Sequence, residues 1–169
     1  MKKYSVVVMG VAGCGKSSLG TVLAEAERAQ LIEGDAYHSA SNREKMQRGV
    51  PLTDADRAGW LDTLADQLRA QPASVVLTCS ALKRAYRDRL RAASAGLRFV
   101  FMEIDPSSAR ARVEARQDAH FFSPTLMASQ FEALESPVGE PGVLRVDALA
   151  PLRDLQIEVS AWLRGRASP

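Results

Sequence analysis

Gly10-Val11-Ala12-Gly13-Cys14-Gly15-Lys16-Ser17 satisfies G-x-x-x-x-G-K-[ST] at every fixed position. Its glycines allow the backbone to bend until successive N–H groups point inward as an anion nest, and a following helix adds the positive end of its dipole. In that arrangement Lys16 would neutralise the β and γ phosphates of a nucleoside triphosphate, while the Ser17 hydroxyl would ligate Mg2+. The nucleotide-binding set therefore runs from Gly10 through Ser18. A dinucleotide fingerprint is excluded, because Ser18 stands where that pattern needs its third glycine. Cys14 occupies a free position of the loop and reads as simply tolerated there, the alternative being an oxidation-sensitive thiol beside a helix N-terminus.

A phosphate loop fixes the triphosphate and leaves the job open. A guanine-nucleotide switch would carry N-K-x-D. The only asparagine is Asn42, followed by Arg43, and no strand candidate is followed by D-x-x-G. Small-molecule phosphoryl transfer is the better reading, with water excluded by a mobile lid. The acceptor then belongs at the carboxyl ends of the strands, where Glu33-Gly34-Asp35 closes the second strand candidate. Asp35 is the candidate general base for an acceptor hydroxyl, and its alternative is a turn or cap residue. His38, Arg43 and Lys45 follow in a polar stretch too irregular for core, with Arg43 suited to clamp a carboxylate. No aspartate follows the third strand candidate, so Mg2+ is expected on Ser17, the phosphates and water, with Asp35 as the nearest carboxylate.

The elements that must position these groups alternate along the chain. Val6-Met9, Leu31-Ile32, Val75-Leu77, Leu97-Met102 and Val143-Val146 read as strands, the first buried on both faces. Helical stretches separate them: Ser18 to Gln30; Thr53 to Gln71, with Thr53 as cap and Asp54 and Asp56 in the first turn; and a C-terminal stripe of Leu152, Leu155, Val159, Trp162 and Leu163 entered by Pro151. Strands alternating with helices imply an α/β fold with a central, mainly parallel sheet covered on both sides.

Composition sets the outer limits. The chain has 169 residues, with 22 Lys+Arg against 20 Asp+Glu, 46% hydrophobic and 25% charged, values that suit one folded domain spanning 1–169. Cys14 and Cys79 are too few for a disulfide framework or zinc set. The apolar run behind Lys2-Lys3 is too short for a signal peptide or a membrane span, which points to a soluble, cytoplasmic protein. A net charge of +2 disfavours non-specific nucleic-acid binding. The cluster Lys83, Arg84, Arg87, Arg89 and Arg91 lacks interleaved aromatics and reads as a solvated helix with Lys83 turned toward the site.

Longer motifs add a resemblance. Asp35-x-x-His38, Asn42-x-x-Lys45-Met46-x-x-Gly49-x-Pro51-Leu52-x-Asp54-x-Asp56-Arg57-x-x-Trp60-Leu61 resembles the bacterial gluconate kinase signature, as does Cys79-Ser80-Ala81-Leu82-Lys83-x-x-Tyr86-Arg87-Asp88-x-Leu90-Arg91. His120-Phe121-Phe122 and Ser129-Gln130-Phe131-x-x-Leu134-Glu135-x-Pro137 continue the likeness, which spans Val6 to Leu152. It implies a three-layer P-loop nucleoside-triphosphate-binding fold, with an acceptor segment over 35–70 and a mobile lid over 110–130. It further implies ATP- and Mg2+-dependent phosphorylation of the 6-hydroxyl of D-gluconate by a homodimer, without nucleic-acid or membrane partners. On this likeness Asp35, His38, Arg43, Lys83 and His120 meet the sugar acid, while Lys16, Asp35, Arg112 and Arg116 form the catalytic set. Between Arg116 and His120 the chain is one residue longer than the family pattern, which leaves open whether Arg110, Arg112 or Arg116 reaches the phosphate. The alternatives are a kinase of another sugar acid or small metabolite, and a nucleotide-binding module without turnover.

Overall fold

Val6, Val7 and Val8 form the centre of β1, Ser5–Met9, every residue of which is buried. Such a run, β-branched and without polar alternation, needs cover on both faces. Two apolar clusters supply it. Val6 and Val8 pack with Leu19, Leu23, Leu155 and Val159, whereas Val7 and Met9 pack with Trp60, Leu61, Leu64 and Leu90. The computed structural model describes residues 2–116 and 123–165.

In chain order the elements are β1, α1 (Lys16–Glu27), β2 (Gln30–Glu33), a 3-10 turn (Gly34–Tyr37), α2 (Ala40–Gln47), α3 (Asp54–Ala70), β3 (Val75–Thr78) and α4 (Arg84–Ala93). They continue with β4 (Arg98–Glu103), α5 (Pro106–Ala115), α6 (Pro124–Ala133), β5 (Val143–Asp147) and α7 (Leu152–Leu163). The sheet order is β2-β3-β1-β4-β5. Every adjacent pair is parallel, with Val7 opposite Leu77 on one side and Phe99 on the other. The expected mainly parallel sheet is therefore wholly parallel among the described residues. Since the chain leaves β1 toward β3 and β2 and later crosses to β4, the carboxyl end of β1 is a topological switch point, where such sheets hold ligands.

Two differences from the sequence reading have local causes. Helix α1 stops at Glu27 rather than Gln30, because Arg28 turns left-handed (φ 52°) and Gln30 already pairs with Val75. The basic face of α4 is not simply solvated. Lys83, Arg84, Arg89 and Arg91 pair with Asp54, Asp88, Asp62 and Asp88 respectively. Arg87 is fully buried, donating to the carbonyls of Ala81 (2.8 Å) and Leu82 (3.0 Å) and to Glu140 Oε2 (2.6 Å). This ties the turn after β3 to the chain beyond α6. Among the described residues no helix is long and apolar enough to cross a membrane.

Candidate active site

The loop between β1 and α1 is shaped by Gly10, Gly13 and Gly15, whose φ values of 148°, 82° and 97° favour residues without a Cβ. Gly15 caps α1 without any side-chain hydrogen bond, so the first N–H groups of the helix are free for an anion. Lys16 folds back over the loop and donates to Gly10 O at 2.9 Å and Val11 O at 3.1 Å. Ser17 Oγ donates to Glu33 Oε2 at 3.1 Å, and Thr78 Oγ1 donates to the same oxygen. The carboxylate touching Ser17 is thus Glu33, not Asp35 as expected. Side chains alternate along β2, and Glu33 ends the strand toward α1 while Asp35 lies beyond it in the turn. Cys14 is 0% exposed, which agrees with a cysteine simply tolerated in the loop and closes off the alternative of an oxidation-sensitive thiol.

The acceptor wall begins at Gly34. A Cβ there would collide with the Thr78 carbonyl, so only glycine lets the turn lie against the end of β3. Trp60 Nε1 donates to Gly34 O at 2.8 Å from the other side. Between these supports the chain presents Asp35 with its side chain 86% exposed. His38, by contrast, is buried and stacked on Trp60 with ring centroids 4.2 Å apart. Asn42 Nδ2 donates to Asp56 O at 2.9 Å and lies 3.4 Å from His38 Nδ1. An amide nitrogen has no acceptor role, so Nδ1 is the accepting nitrogen and the proton of neutral His38 sits on Nε2, 3.9 Å from Asp35 Oδ1. Burial lowers the His38 pKa, helped by the positive charges of Arg57 and Arg43, while Asp35 opposes the shift. His38 is therefore neutral near pH 7.

A cavity of about 630 Å3 joins the two halves. The phosphate loop contributes Ala12, Gly13, Gly15, Lys16 and Ser17, and the acceptor segment contributes Asp35, His38, Arg43, Arg57 and Trp60. Arg116, Ser129 and Gln130 line it from α5 and α6. Of the arginine pair expected at the phosphate, Arg116 lines the cavity and Arg112 does not. Arg112 is held by the carbonyls of Gly13 (3.4 Å), Cys14 (3.1 Å) and Ala148 (2.9 Å), so it braces the loop from outside the cavity. Arg43 reaches the cavity with two donors already engaged, Nε on His38 O (3.3 Å) and Nη2 on Ala36 O (2.8 Å). Lys83 is drawn aside by Asp54 at 2.9 Å and lines an adjoining recess of about 290 Å3. Gly10, Val11 and Cys14 shape the loop without lining the cavity, and Ser18 sits exposed on α1. His120 lies outside the described residues.

Arg57 lines both spaces, and its guanidinium donates to Tyr86 Oη at 3.3 Å. Its signal in the sequence is a lone cation in the acidic first turn of a helix, facing the turn that carries Asp35. Glu33 carries no comparable signal, and Gln130 has only its place in the Ser129-Gln130-Phe131 motif of the resemblance. Among the described residues no three His, Cys, Asp or Glu side chains converge on a metal position.

The cavity therefore offers an anion nest, a lysine, a solvated carboxylate facing them, and arginines for a second anion. Comparisons with known proteins show the family. The family described as "AAA domain" (AAA_33) matches residues 6–140. A gluconokinase of Gluconobacter oxydans is 43% identical, with 86% of this chain and 83% of that protein covered. The thermosensitive gluconokinase of Escherichia coli is 40% identical, with coverages of 87% and 80%. A crystal structure of a gluconokinase from Sinorhizobium meliloti superposes with a TM-score of 0.89 at 43% identity, over 98% of this chain and 95% of that one. With this identity over most of both chains, and with the phosphate loop and acceptor wall on one cavity, the chain belongs to the gluconokinase family of P-loop kinases.

Proposed function

We propose that residues 1–169 act as one kinase unit that transfers the terminal phosphoryl group of ATP to the primary hydroxyl of D-gluconate, giving 6-phosphogluconate. The observation that carries this reading is the single cavity placing Lys16 and the uncapped start of α1 across from Asp35. Asp35, exposed and beside the neutral His38, accepts the proton of the attacking hydroxyl. Lys16 exchanges its loop carbonyls for the β and γ phosphates, a charge-assisted contact in place of neutral ones. Arg57 and Arg43 hold the carboxylate of the sugar acid, and His38 Nε2–H donates to one of its hydroxyls or to Asp35. Arg116 closes on the phosphate from the lid side, with His120 as a further sugar contact in that segment. Lys83 contributes charge from the adjoining recess.

Mg2+ fits the Ser17 hydroxyl with Glu33 beside it, since both are hard oxygen donors at the start of α1. Bound there, it would offset negative charge on the phosphates. The same reading includes a homodimer working in the cytoplasm, which sedimentation of the purified chain and cell fractionation test.

The deciding experiment is ADP release coupled to a panel of acceptors. Turnover with gluconate is expected, and turnover with shikimate or a nucleoside monophosphate in its place overturns the substrate. ATP binding with no acceptor-dependent ADP release overturns the enzyme reading altogether.

A further inference from the structure

Helix α6 is held at both ends. Ser123 Oγ caps its start by accepting from Leu126 N, and Leu126 and Met127 are buried. After its last turn, Glu135 N donates to Leu82 O at 2.8 Å and the buried Arg87 donates to Glu135 O at 2.9 Å. Gln130 lies four residues after Leu126 and three after Met127, so it shares their face of the helix. It is thereby carried to the phosphate loop, where Ala12 N donates to Gln130 Oε1 at 2.7 Å.

That bond settles which end of the amide is which. A backbone N–H requires an acceptor, and only the oxygen of the amide can accept. The two Nε2 hydrogens consequently have no protein partner among the described residues, on a side chain that lines the cavity with Lys16, Ser17, Asp35 and Arg116. A donor locked in orientation beside the phosphate loop, on the cavity that also holds the acceptor carboxylate, is preorganised for oxygens whose charge rises during transfer.

We propose that Gln130 is a catalytic residue whose Oε1 is anchored on Ala12 N–H while its Nε2 donates to a γ-phosphoryl oxygen of ATP. The inference rests on reading this cavity as the transfer site. Its chemistry is hydrogen bonding alone, with no bond of Gln130 made or broken.

Two variants separate the amide's halves. Gln130→Glu keeps an oxygen for Ala12 N–H but replaces the donor with negative charge, and Gln130→Met removes donor and acceptor without adding charge. Expected results are a fall in kcat of about 10²- to 10³-fold for Gln130→Glu, the size seen when one transition-state donor is lost, and at least about tenfold for Gln130→Met. Binding of ADP and of a non-hydrolysable ATP analogue is measured in parallel by calorimetry. Gln130→Glu should weaken the analogue at least about tenfold while changing ADP less than about threefold, as a contact confined to the γ position requires. Either variant keeping kcat within about threefold of wild type overturns the proposal, and so does an ADP affinity that falls in step with the analogue. The binding arm needs no acceptor, so a wrong acceptor shows as missing wild-type turnover with gluconate while the Gln130 result still stands.

Discussion

Asp35 and His38 sit side by side in opposite surroundings, one in water and one against an indole ring. The solvated carboxylate is free to approach a hydroxyl, so Asp35→Asn should lower kcat about 10²- to 10⁴-fold in steady-state assays while nucleotide affinity holds. For His38 the burial that lowers its pKa ties stability to pH. The unfolded histidine binds its proton near pH ~6.5 and the folded one only at lower pH, so its contribution is present above ~6.5 and is lost as pH falls through the folded value. Urea unfolding between about pH 6.5 and 5 should show falling stability, with a shallower slope for His38→Gln. Lys16, Ser17, Asp35 and His38 were legible because their types and spacing name a chemistry. Lys83 and Arg112 were not legible in their final places. Long cations follow whichever partner the fold delivers, and here those are Asp54 and Ala148, 29 and 36 residues away in sequence. Gln130 was legible only through the resemblance that includes Ser129-Gln130-Phe131, since one uncharged amide on a helix taken alone looks like any surface residue.

Helix α3 works as a bracket for the acceptor segment. Its capping box joins Thr53 and Asp56 reciprocally, at 2.9 Å and 3.1 Å. Asp56 also binds Lys45 at 2.8 Å, and that hydrogen bond holds its carboxyl near pKa 2. The same helix carries Arg57 and Trp60 into the cavity wall. Thr53→Ala should therefore cost about 1 kcal/mol of stability by chemical denaturation and raise KM for the sugar acid more than KM for ATP, because the loop side does not rest on α3. The cap itself was legible as Thr53 followed by two aspartates. Its coupling to the acceptor segment was not, since Lys45 meets Asp56 only after α2 folds against α3.

At the scale of the whole molecule, the alternation of strands and helices announced the parallel sheet, while the order β2-β3-β1-β4-β5 depended on crossovers that periodicity alone leaves open. The sheet also shelters both thiols. Cys79 is 1% exposed and burial pushes its thiol up to about 12, and Cys14 is 0% exposed. Neither should react with a thiol-specific disulfide reagent in the native protein within minutes at pH 8, and both should react after unfolding. The buried pairing of Arg87 with Glu140 is similarly exacting. Glu140→Gln should destabilise the fold by about 3–5 kcal/mol in urea titrations, because it strands a guanidinium in the core.

That pairing also sets an order of events during biosynthesis. Arg87 leaves the ribosome first, and its counter-charge follows 53 residues later. At about 5–20 residues per second this is a wait of roughly 3–10 seconds, during which α4 has no means of docking without burying a lone cation. We expect nascent chains arrested before residue 140 to remain sensitive to protease within α4, and chains arrested after β5 to be protected there. The half of the molecule that holds the sugar acid is then completed only once the later half has been made.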